Sequence, residues 1–314
     1  MADCGYLPYA IDLKSLLLLQ RDARGIALDQ MDITAKRVGN YLSRFKGRGM
    51  EYEESRPYQE GDDLRYLDWR VTARTGKAFT KYFREERERP VLFFVDYRAP
   101  MFFATRGCFK SVNASRLAVK LAWAHVAHGD RVGSMIVSDV DDREIRPSHG
   151  SKAVLRMANE MVSHPAWRGA MDTENHPERI NTALGRLRHL ARPGTRIYLL
   201  SDFRGLSETG FRHLSILARH AELVPVMFHD PLETELPDHG QFPVTWRDKR
   251  GWISARKSDR QAWREQFQTR LAQTDSWFRK HGGKLLLCQT DQDPLALMAK
   301  RGQKRKNIRR RANT

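Results

Sequence analysis

At 314 residues the chain is long enough to bury a sizeable core, in one large domain or in one domain with a satellite. Its 40% hydrophobic and 30% charged content fits a globular protein. Apolar runs such as Leu16–Leu19 and Val91–Val95 are far shorter than the roughly 20 residues that span a bilayer, which argues against a transmembrane segment. Acids stand near the N-terminus where a signal peptide would carry its basic region. The three cysteines, Cys4, Cys108 and Cys288, are widely separated and form no metal-ligand spacing. Together these features predict a reducing compartment, the cytoplasm.

The net charge is +17. Part of it is local: Lys300, Arg301, Lys304, Arg305, Lys306, Arg309, Arg310 and Arg311 form a basic tail without an acid. Such a tail either draws an anionic partner, nucleic acid or an acidic surface, or stays disordered and aids solubility. No aromatic residue is interleaved with these charges to stack on bases.

Residues 11–28 cluster leucine at helical spacing and predict an amphipathic helix. Residues 39–56 lead from a Gly- and Arg-rich loop into an edge strand. The stretch ESRPYQEGDDLRYLDWRVTAR, residues 54–74, combines Asp62, Asp63 and Asp68 with Arg56, Arg65, Arg70 and Arg74, and adds Tyr58 and Trp69. It reads as a charge-paired unit with Trp69 as its core anchor. Its alternative use is as a recognition edge, since arginine and aromatics are enriched at interface hot spots. The strand AFTKYFREE follows at 78–86.

After Pro90 strands alternate with helices, which implies a mostly parallel sheet covered on both faces. Strands are expected at 91–96, 131–138, 195–203, 222–228 and 284–290, with a short return strand at 143–147. Helices are expected at 115–128, 152–162, 177–192 (with Pro177 at its first position), 210–220 and 258–282. Residues 234–257 suit a hairpin insert. The resulting division is an N-terminal helix and β-rich segment over 1–89, an α/β domain over 90–299, and the tail over 300–314.

The motif RPYQEGDDLRYLDWRVTAR, the basic aromatic strand, the EE pair and an apolar strand ending in Asp resemble the bacterial "domain of unknown function 58" family. HDPLETELP (229–237) and TDQDPLALM (290–298) match that family's later signatures, and the resemblance covers roughly residues 30–298. It implies a fold similar to a von Willebrand factor A domain, doubly wound with strand order 3-2-1-4-5-6, an N-terminal helix and a small β-rich satellite. It also implies association with a MoxR-type AAA+ ATPase, and so an adaptor or assembly role without enzymatic activity. No phosphate-binding loop is present, so nucleotide would be bound by the partner.

In that fold the first and fourth strands meet at the switch point, where ligands collect. Asp96 and Asp202 are therefore expected to face one crevice, with Ser201 beside them. Metal-binding members carry Asp-x-Ser-x-Ser after the first strand and bind magnesium with those oxygens. Here the matching residues are Asp96, Arg98 and Pro100, and no threonine stands at the later loop position near Pro177 or Glu178. Three arrangements follow: Arg98 replaces the metal as countercharge, magnesium is retained by Asp96, Asp202 and Ser201, or Arg98 points to solvent and the acids cap helices. The first, an adhesion site without a cofactor, fits best. The second signature, Asp230, Pro231 and Glu233, belongs on the same surface, with Glu233 either pairing with an arginine of 54–74 or opening a turn. His125 and His128, three apart on one helix, are a weak metal-ligand candidate beside a helix-end role.

Overall fold

A computed structural model describes residues 7–23, 26, 28, 50–59, 64–85, 89–169, 176–246 and 249–294. Asp62, Asp63 and the basic tail lie outside the described residues. The chain divides into two compact units, Gly39–Glu88 and the combination of Met1–Val38 with Arg89–Thr314. The N-terminal helix α1 (Leu13–Ala23) thus groups with the larger unit and not with the β-rich segment. Its Leu16, Leu19 and Ala23 are buried in the same core as Val154 and Met157, and that apolar stripe explains the grouping.

In the smaller unit, β1 (Met50–Pro57) pairs antiparallel with β2 (Phe79–Glu85). The connection holds a 3-10 turn (Leu64–Tyr66) and the short helix α2 (Trp69–Thr75). Asp68 caps that helix. One carboxylate oxygen accepts the Val71 N–H at 3.2 Å and the other accepts the Ser55 hydroxyl at 2.6 Å. Gly76, at φ 71°, closes the helix in the left-handed conformation and returns its N–H to Thr72. Trp69 is not a core anchor. It is 70% exposed, because α2 buries none of its residues and offers no core to anchor.

The larger unit begins with β3 (Pro90–Tyr97) and continues through α3 (Lys110–Ala127), β4 (Arg131–Ser138), β5 (Asp142–Ser148), α4 (Ser151–Val162), the one-turn α5 (Ala166–Gly169), α6 (Arg179–Leu190), β6 (Arg196–Ser201), α7 (Glu208–Ala218) and β7 (Glu222–His229). A single turn, α8 (Pro231–Thr234), leads to the hairpin β8 (Gln241–Trp246) and β9 (Lys249–Ser254), then to α9 (Lys257–Lys280) and β10 (Leu286–Gln289). The central sheet has the order β10-β7-β6-β3-β4-β5. Every pairing in it is parallel except that of β5, which returns antiparallel at the edge. Strand β3 sits centrally and is buried on both faces, as its unbroken apolar run requires. Val91, Phe93, Val95 and Tyr97 enter the core shared with α1, α3 and α4, while Leu92 and Phe94 enter the core shared with α6, α7 and α9. No helix among the described residues is long and apolar enough to cross a membrane.

Two elements differ from expectation in ways that matter for the site. Helix α3 starts at Lys110, five residues early, and α6 starts after Pro177 instead of upon it. Both shifts put a polar group at the strand ends, the Lys110 ammonium and the Pro177 carbonyl.

Gly133 lies where the β4–β5 register shifts, and a Cβ there would fall 2.4 Å from the Ile145 carbonyl oxygen. Gly133→Ala must therefore move backbone. It is expected to lower stability by about 1–3 kcal/mol, read as a reduced urea midpoint with an unchanged slope.

Candidate functional site

The carboxyl ends of β3 and β6 bring together a closed set of charges. Asp96 comes from β3, and Ser201 and Asp202 follow from β6. Arg98, Lys110, Asp96 and Asp202 are each 0% exposed. The Arg98 guanidinium grips Asp96 with two parallel hydrogen bonds, Nε to Oδ1 at 3.0 Å and Nη2 to Oδ2 at 2.7 Å. This is the bidentate geometry that favours arginine over lysine. Nη2 also faces Asp202 Oδ1 at 3.8 Å. Nη1 donates to the backbone carbonyls of Pro177 (2.8 Å) and Arg204 (2.9 Å). The Ser201 hydroxyl donates to Asp96 Oδ2 at 2.6 Å, and the Arg98 N–H donates to Oδ1 at 2.9 Å.

Lys110, in the first turn of α3, extends the set. Its Nζ lies 3.1 Å from Asp202 Oδ2 and 2.7 Å from Glu233 Oε1. Arg204 closes the other side, Nη2 donating to Glu233 Oε1 at 2.9 Å. Glu233 therefore pairs with Lys110 and Arg204, and it helps open the turn α8 (Pro231–Thr234), one of the two roles expected of its signature. Lys110 was not among the candidate residues read from the sequence. A cation is unfavourable at a helix N-terminus, so nothing in the local pattern marks Lys110 as part of a helix. Only the acids brought from β6 and α8 make its position tolerable.

The second signature folds as a cap. Asp230 accepts from the Leu232 N–H at 2.9 Å, Pro231 takes the first helical position, and Glu233 accepts the Asp230 N–H at 3.0 Å. Asp230 also accepts from Thr105 (N–H 2.7 Å, hydroxyl 2.5 Å) and from the Thr290 hydroxyl at 2.8 Å. Burial alone would raise its pKa, but these hydrogen bonds outweigh burial and hold it below the ordinary range. The signatures around 230 and 290 are thus joined in space by one carboxylate.

The donor set does not suit a divalent ion. Asp96 already receives four donors, and Asp202 receives the Arg204 N–H (3.0 Å) and Lys110. Two fixed cations stand where a metal would need oxygen. Among the described residues no group of three or more His, Cys, Asp or Glu is arranged to hold a metal. His125 and His128 do not converge. His125 is buried between Asp130 (2.6 Å) and the Tyr198 hydroxyl (2.8 Å), while His128 is exposed at the end of α3. In the 54–74 segment, Asp68 is the helix cap, Tyr58 is half-buried with its N–H on the Ala78 carbonyl at 2.9 Å, and the Arg56 guanidinium donates to the Pro57 carbonyl at 3.4 Å. Arg65, Arg70 and Arg74 are exposed.

Arg98→Ala leaves a buried carboxylate without its partner and is expected to cost about 3–5 kcal/mol in chemical denaturation. Arg98→Lys should recover little, since an ammonium cannot reproduce the fork. Gly205, at φ 77°, approaches so closely that a Cβ would lie 2.0 Å from the Pro177 carbonyl oxygen, an acceptor of Arg98. Gly205→Ala should cost roughly 2 kcal/mol or more. Acid stability gives a separate test. Burial would raise the pKa of Asp202, but Lys110, Arg98 and Arg204 together hold it well below the usual carboxylate range. Its contribution is complete above the unfolded pKa of about 3.9 and is lost as pH falls toward the folded value. Lys110→Met raises the folded pKa of Asp202, so acid unfolding, followed by near-UV circular dichroism, should begin at higher pH than in wild type.

A family model described as "Protein of unknown function DUF58" matches residues 54–276. The uncharacterized protein Rv1480 of Mycobacterium tuberculosis H37Rv is 30% identical over 288 residues, 86% of either chain. The uncharacterized protein Mb1516 of Mycobacterium bovis is similar to the same degree over the same share. With the family signature running from the 54–74 segment into the last helix, this chain belongs to the DUF58 family.

Proposed function

We propose that this chain is a non-enzymatic, cytoplasmic interaction protein built on a von Willebrand A-like domain, acting with a MoxR-type AAA+ ATPase in the assembly or maturation of a protein client. The adhesion crevice in this reading is degenerate: Arg98 and Lys110 supply the countercharge that a divalent ion would supply. The observation that carries the reading is the Arg98 guanidinium, bonded to Asp96 and facing Asp202 at the crossing point of the sheet. The mostly parallel central sheet, with β3 at its centre, supports this reading. That crossing point is where doubly wound sheets bind their ligands.

The Arg98 guanidinium is committed to Asp96 and to the carbonyls of Pro177 and Arg204, and the whole charge set is buried, so contact falls to the rim. Arg204 retains 36% exposure of its side chain. Arg270, half-buried on α9, has no ion pair among the described residues and rests against the Phe267 ring. Two guanidinium groups in that setting favour an acidic partner surface. In the smaller unit, exposed Leu64, Tyr66 and Trp69 alternate with Arg65 and Arg70, a composition of interface hot spots. A second reading, nucleic-acid binding through Lys300–Arg311, rests on the eight clustered cations of the tail and predicts a steep loss of affinity with salt.

Melting curves in EDTA and in millimolar magnesium or manganese are expected to coincide. A stabilisation of several degrees that disappears in Asp96→Ala would restore the metal-binding alternative. Pull-downs from cytosol with ATP, with ADP and without nucleotide should recover an AAA+ ATPase, weakened by Arg204→Ala or Trp69→Ala and unaffected by deletion of residues 300–314. Recovery of nucleic acid alone, lost with that deletion, would favour the second reading.

A further inference from the structure

The outer groove between α6 and α7, ≈ 390 Å³ in volume, stands apart from the charges used above. None of the residues that line it is acidic. Arg186, at one end, is neutralised by Asp142 (2.8 Å) and Glu144 (2.6 Å). Arg188 is different. Its hydrogen bond goes to an imidazole, Nη1 to His213 Nδ1 at 3.2 Å, and its Nε is buried without an acceptor. No carboxylate pairs with it among the described residues, although a half-buried guanidinium is poorly solvated and normally finds one.

His213 completes the donor pair. Because Nδ1 accepts from Arg188, the ring proton resides on Nε2, which is left as a donor. Burial, and then the Arg188 charge, hold the ring below the ordinary histidine range. The ring lies over Gly185, where a Cβ would fall 3.2 Å from Nε2. The missing side chain keeps that N–H open to the groove. Thr182 and Thr209 add hydroxyls to the lining, while Asn181 is already committed to Glu178, Gly205 and Ser207.

From this we infer that the α6–α7 groove is a binding site for a phosphoryl dianion, held by Arg188 and His213 Nε2–H. A guanidinium, an imidazole N–H and flanking hydroxyls present donors from several directions, which suits a tetrahedral oxyanion better than a planar carboxylate. No part of this depends on the von Willebrand A reading or on the ATPase partner.

The test is a titration of the full-length protein with inorganic phosphate at constant ionic strength, followed by calorimetry and by the His213 ring resonances. Wild type should bind saturably and shift His213. Arg188→Ala should weaken binding at least tenfold with an unchanged melting temperature, and Gly185→Ala should weaken it several-fold by covering Nε2. If Arg188→Ala does not fold, Arg188→Gln serves in its place. Parallel titrations with AMP and with a phosphoserine peptide identify a nucleotide or a phosphorylated protein as the source, according to which binds more tightly than phosphate. A response that never saturates, or that persists undiminished in a folded Arg188 variant, overturns the assignment.

Discussion

The larger unit is organised around a single electrostatic constraint: two carboxylates, Asp96 and Asp202, are fixed near one another at the crossing point of the sheet and buried from bulk solvent. Burying one ionised group without compensation costs several kcal/mol. The sequence around the crossing point can be understood as the set of groups that compensates. Arg98 serves Asp96 with a fork and reaches toward Asp202. Lys110 serves Asp202 and Glu233 together. Ser201 supplies a hydroxyl where a cation would not fit. The backbone carbonyls of Pro177 and Arg204 take the two protons that Arg98 has left, so the loops that carry them are held in place by the same guanidinium.

This arrangement ties the strand ends to one another and leaves contact with a partner to the rim. A guanidinium with every N–H committed is a structural group. Arg204, by contrast, keeps 36% of its side chain exposed, Arg270 has no ion pair among the described residues, and Leu64, Tyr66 and Trp69 are exposed.

Much of the sheet was legible in the sequence because its signal is strong and local. Val91–Val95 is apolar at every position, which only a strand covered on both faces needs, and Pro and Gly punctuate the alternation after it. Asp96, Arg98, Ser201 and Asp202 could be placed together because each adjoins such a strand and the family resemblance implied which strands are neighbours. Lys110 could not, since its role comes from residues 92 and 123 positions away in the chain, and its own neighbourhood argues against a helix start. Trp69 was misread for the complementary reason: an aromatic beside an acid looks like an anchor with its cap, and the cap is real, but burial depends on what packs above a helix. The α6–α7 groove gave no signal at all, because Gly185, Arg188 and His213 acquire meaning only when two helices lie side by side.

The ties across the crevice also constrain how the chain reaches its native state. Asn113 in α3 donates to the Thr290 carbonyl 177 residues further on, and Lys110 meets Glu233 across 123 residues. Contacts of such separation carry a loop-closure cost that is met before they return any stabilisation, and they slow folding. Until α8 arrives Lys110 lacks Glu233, and until the last strand arrives Asp230 lacks Thr290. A nascent chain emerging from the ribosome therefore holds an incomplete charge set at its sheet ends until Glu233 has been made, well over half of its 314 residues.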